Sequence, residues 1–99
     1  MASITVIGTN ANPPKVHLKF THVTVEGNGF MPGVQVKVTV DTPHGVIGPV
    51  LVDVDAGGQI FLNRRINRVP DDTQLSATAE QAPQPAITAS ATGDVRSEL

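Results

Sequence analysis

The feature that most constrains this chain is hydrophobic alternation with a period of two. Val34, Val36, Val38 and Val40 alternate with Gln35, Lys37 and Thr39, which puts the valines on one face of a half-buried strand. Val16, Leu18 and Phe20 alternate with His17 and Lys19, and Val23 and Val25 continue at the opposite parity against Thr24 and Glu26. A change of parity inside one run reverses its buried face, so a bulge or short turn is expected near Thr21-His22. Val50, Val52 and Val54 lead into Asp55-Ala56-Gly57-Gly58, a hairpin signal in which the glycine pair supplies positive φ. The return strand, residues 59–66, holds a conflict: Ile60, Leu62 and Ile66 share one parity and Phe61 holds the other. Leu75, Ala77 and Ala79 mark a late strand, Ile87, Ala89 and Ala91 the last, and residues 3–7 the first.

Composition supports the period. Fourteen Val, six Ile and ten Thr stand against five Leu and three Phe, a bias toward side chains that suit a pleated surface. The alanines at 77–82 favour helix by propensity, but their alternation with Ser76, Thr78 and Glu80 and the following Pro83 and Pro85 argue for strand. About seven short strands separated by turn residues predict an all-β antiparallel β-sandwich. Residues 1–92 are read as one domain and residues 93–99 as a loose tail.

The same composition removes most chemistry. Without Cys there is no disulfide, thiolate metal site or cysteine nucleophile. Without Trp or Tyr the rings that stack on sugars or bases are scarce. His17, His22 and His44 share no metal-ligand spacing, and Ser3, Ser76, Ser90 and Ser97 lie outside any nucleophile motif. Asp53-Val54-Asp55-Ala56-Gly57-Gly58 lacks the ligands at positions five and twelve of a calcium loop. No metal, cofactor or catalytic residue is therefore expected, and the chain is read as a non-enzyme. A formal charge of −2 disfavours nucleic acid. No segment has the ~20 apolar residues that cross a bilayer or the pattern of a secretory signal. The leading Met is read as the start of a gene product made in the cytoplasm.

Two local motifs stand out. Gly27-Asn28-Gly29-Phe30-Met31-Pro32-Gly33 reads as structural turn chemistry: Gly29 frees the backbone, Phe30 folds over an end of the sandwich, and Pro32-Gly33 suits a type II turn. Gly57 and Gly58 are placed in the same class. Arg64-Arg65-x-x-Arg68 beside Pro70-Asp71-Asp72 is the best local candidate for a partner-docking patch, because an arginine fork engages carboxylates and carbonyls. Residues 1–15 read as a first strand and loop, with an anchoring arm as the alternative.

Gly-x-Gly-Phe-x-Pro-Gly-x-x-Val-x-Val, the Val-rich strand and Asp-x-Gly-Gly-x-Ile over residues 23–79 resemble bacterial and phage immunoglobulin-like domains of the IPT/TIG kind. The chain departs from that pattern at Pro70-Asp71-Asp72-Thr73-Gln74-Leu75, where the family often carries Pro-x-Gly-x-Tyr. The resemblance implies an immunoglobulin-like sandwich and a virion structural protein, an accessory module decorating a phage capsid or tail. Its partner would be a lattice protein, with self-association a second source of buried area. A carbohydrate- or cell-surface-binding module, or an accessory domain cut from a longer protein, is the alternative.

Overall fold

Along every strand the side chains alternate between two environments, and the ladders between strands decide which set is buried. The computed structural model describes residues 2–10, 20–82 and 87–97. Among these residues there are seven strands and no helix: β1 (Ser3–Asn10), β2 (Phe20–Asn28), β3 (Val36–Thr42), β4 (Gly45–Val52), β5 (Ile60–Asn67), β6 (Gln74–Gln81) and β7 (Ile87–Ser97). They form one mixed sheet in the order β4-β3-β6-β7-β1-β2-β5. The sheet curls until the start of β4 and the end of β5 line one cleft, so its shape approaches a barrel. Five of the six neighbour pairs are antiparallel. The exception is the seam between β1 and β7, which is parallel through Gly8↔Val95, Thr9↔Arg96 and Asn10↔Ser97. All-β architecture with about seven strands was thus legible from periodicity, and residues 77–81 lie in strand β6.

The core is thin and mostly valine. Ile4 and Val6 of β1, Val23 and Val25 of β2, Val36, Val38 and Val40 of β3, Ile60 of β5, Leu75, Ala77 and Ala79 of β6 and Val95 of β7 are all buried. Each buried Val contributes about 1.5–3 kcal/mol of apolar transfer. The parity conflict in β5 resolves in favour of the even positions: Ile60 is buried, Leu62 and Ile66 are half-buried, and Phe61 is 59% exposed.

Several expectations need correction. No bulge lies at Thr21-His22: β2 pairs with β1 from Thr21 and with β5 from Phe20 without a register shift. Thr21 keeps the parity of Val23 and Val25 by turning its hydroxyl inward, where it is wholly buried and bonded. The opposing run at 16–19 lies outside the described residues. Val34 belongs to a turn, and β3 begins at Val36. The Asp55–Gly58 turn does not form a hairpin, because β4 pairs with β3 and β5 pairs with β2, at opposite ends of the strand order. Turn chemistry is local and cannot choose a strand's partner. Residues 93–97 are not a tail; they complete β7, and Val95 is wholly buried. The first strand expected at residues 3–7 is present and runs on to Asn10, in the interior of the sheet between β7 and β2.

Gly93 makes the seam possible. A β-carbon there would overlap the Val6 carbonyl oxygen of β1, so only glycine lets β7 lie against β1 while it pairs with β6.

Candidate functional site

Two clusters, one on each half of the sheet, carry the features from which a docking site can be built, and each hangs on a buried side-chain amide of an interior strand. On the first side, Gly29 and Gly33 both have a φ of 83°. The Val34 amide donates to the Met31 carbonyl at 3.4 Å, closing a turn with Pro32 and Gly33 at its centre, as Pro-Gly predicts. Phe30 is buried, and its amide donates to the Gly58 carbonyl at 3.1 Å. Gly58 has a φ of 78°, and a β-carbon on it would sit 2.7 Å from the Phe30 carbonyl oxygen. The two predicted turn motifs therefore pack on each other.

Gln81 locks this assembly. It is 1% exposed, its Oε1 accepts from the Met31 amide at 2.8 Å, and its Nε2 donates to the Met31 and Val34 carbonyls at 2.9 and 2.7 Å. Sequence reading missed it. The available signal was its parity with Leu75, Ala77 and Ala79 on the core row of β6, which marks a polar residue that must find partners.

Two expected turn residues have other roles. Gly27 lies inside β2 opposite Ile4, where a β-carbon would come within 2.7 Å of the Ile4 Cγ2. Gly57 has no positive φ and room for a side chain. The turn is made instead by Asp55, whose Oδ1 accepts from the Gly57 and Gln59 amides at 2.9 Å each. Its partner in the calcium-like sequence, Asp53, accepts from Gln35 at 3.0 Å.

On the second side the buried amide is Asn10. Its Nδ2 donates to the Val69 carbonyl at 2.7 Å and to Asp71 Oδ1 at 2.9 Å. The Thr21 hydroxyl donates to Asn10 Oδ1 and accepts from the Val69 amide. This pins the chain leaving β5 against the start of β2. In the following turn Asp72 takes a φ of 67°. The Asp72 amide donates to the Val95 carbonyl at 2.7 Å, and the Val95 amide returns a bond to Thr73 at 3.0 Å. The segment 93–97 is thereby held from two sides.

The arginines do not form one patch. Arg65 lies on the outer face of β5 opposite His22, while Arg64 lies opposite the buried Val23 and so on the core-facing row. Both are exposed, as is Arg68, which lines the cleft with Ile47 and Ile66. His22 is on an outer face and His44 sits in the β3–β4 turn, while His17 lies outside the described residues. Among the described residues no group of three His, Asp or Glu is placed to hold a metal ion.

The edges themselves differ. β4 is interrupted: between Val38↔Val50 and Val40↔Ile47 it places Gly48 and Pro49 against Thr39 alone, a bulge with a Gly48 φ of 92° and a cis Gly48–Pro49 bond. β5 keeps one register for all eight residues. Comparison with protein-family models, with curated proteins and with solved structures gives no match to this chain.

Proposed function

We propose that this chain is a non-enzymatic immunoglobulin-like docking module, acting as a structural accessory that decorates a phage capsid or tail. The observation that carries the reading is the strand order. Read in chain order as A, B, C, C′, E, F and G, the strands give A-B-E on one side of the seam and C′-C-F-G on the other. This order supports the reading because it is similar to the way an immunoglobulin-type sandwich divides its strands between two sheets, with strand D lacking. The resemblance of the Gly29–Gly33 turn and the Val-rich strand supports the same assignment. Its extension to virions rests on where such domains occur.

A thin valine core also favours a protein that works when docked. Small domains bury a modest fraction of their surface, and binding to a larger lattice adds stability by mass action. Many copies on a lattice make weak single contacts effective.

The test is the copy number of the chain in purified phage particles, measured by quantitative mass spectrometry against the major capsid protein. A fixed stoichiometric ratio is expected, and particles without the chain would overturn the virion assignment.

A further inference from the structure

β5 is eight residues of regular strand, free of Pro and Gly, with no strand hydrogen-bonded to its outer rim among the described residues; only its end, at Ile66 and Asn67, lies across the cleft from the start of β4. Its pairing to β2 runs unbroken from Phe20↔Asn67 to Gly27↔Ile60. Alternate backbone groups of such a strand point away from its neighbour, ready for an added strand.

Arg64 decides which strand can be added. It shares the core-facing row with Ile60, Leu62 and Ile66 but remains exposed at the edge. A strand laid along β5 would cover its guanidinium, and covering a charge is costly unless a carboxylate meets it. The edge strands of a second copy offer none. Neither β5 nor β4 contains Asp or Glu. With β5 against β5 antiparallel and core rows aligned, Arg64 meets Ile60, Leu62, Ile66 or another Arg64. The bulge bars β4 from continuous pairing.

We propose that β5 docks an extended acidic segment of a protein partner, with a carboxylate opposite Arg64. This rests on the docking-module reading and adds the edge used and the partner's chemistry. Phe61, on the outer face, gives the added strand an apolar neighbour and sets the register, since a shift of one residue would exchange the two faces.

The test uses the full chain, isotope-labelled for NMR, and three eight-residue peptides: alternating Val and Glu, alternating Val and Lys, and the Val/Glu peptide with alternate backbone nitrogens methylated. The Val/Glu peptide is expected to shift β5 amides and slow their exchange. Arg64→Glu should weaken it tenfold or more and gain binding to the Val/Lys peptide, with Arg64→Gln intermediate. The methylated peptide should not bind. Equal binding by wild type and Arg64→Glu, shifts away from β5, or sedimentation showing a β5-mediated homodimer would overturn the proposal. Particles lacking the chain would remove the virion assignment alone, and peptide failure with the chain present in particles would remove the edge proposal alone.

Discussion

The β4 and β5 sides of the sheet face the same problem, an unpaired strand edge, and meet it by different physics. β4 is interrupted in its backbone, since Pro49 has no N–H and the bulge at Gly48-Pro49 breaks the register. It can therefore leave Val46 and Leu51 more than 60% exposed without offering a continuous ladder. β5 keeps its ladder intact and is guarded by charge at Arg64. Backbone interruption denies a continuous ladder to any partner strand; a charge disfavours only those that fail to neutralise it. The first is protection and the second is selection.

The two sides also differ in how they are pinned, and four substitutions order the difference. Gly93→Ala attacks the seam that both sides share. The clash with the Val6 carbonyl should cost about 3 kcal/mol or more, as overpacking against backbone does, seen as a large fall in the urea midpoint or loss of folded protein. Thr21→Val strikes the β5 side by orphaning Asn10 Oδ1 and the Val69 amide, both buried. It should cost about 2–3 kcal/mol, with faster hydrogen exchange at Val69. Gln81→Leu strikes the β4 side. Its three partner groups are only partly buried, so water replaces some of the bonds and a loss of about 1–2 kcal/mol is expected in denaturant titration. If Gln81→Leu costs more than Thr21→Val, the ranking of the two clamps is wrong. Arg64→Val should change monomer stability by less than about 0.5 kcal/mol yet promote concentration-dependent self-association in sedimentation, because it removes the charge that guards an intact edge. An unchanged monomer would show that Arg64 is not the guard.

Much of the fold was legible because the period of the side chains is itself a burial pattern. Val36, Val38 and Val40 alternate in sequence and are all buried. The Pro32-Gly33 turn was equally legible, since those residues set φ locally. The partnering of strands was not. The turn at Asp55–Gly58 has hairpin chemistry but joins β4 to β5 at opposite ends of the strand order, and nothing local distinguishes a hairpin from a crossover. Residues 93–97 showed no strand alternation that stands out, because Gly93 and Val95 gain their places from contacts with Val6, Gly8 and Thr73. Of the proposed site, the run of arginines is legible in the sequence, but the different faces of Arg64 and Arg65 depend on register with β2.

By itself the sequence determined an all-β chain with a thin Val/Ala core, tight Gly/Pro turns and no thiol chemistry, because periodicity, propensity and composition are properties of the chain alone. Only the tertiary structure decided which strands became edges, which arginine faces the core, and which buried amides hold the ends. Those outcomes depend on pairing between residues as far apart as Met31 and Gln81 or Asn10 and Val69, and long-range pairing is chosen by the joint burial of the whole sheet.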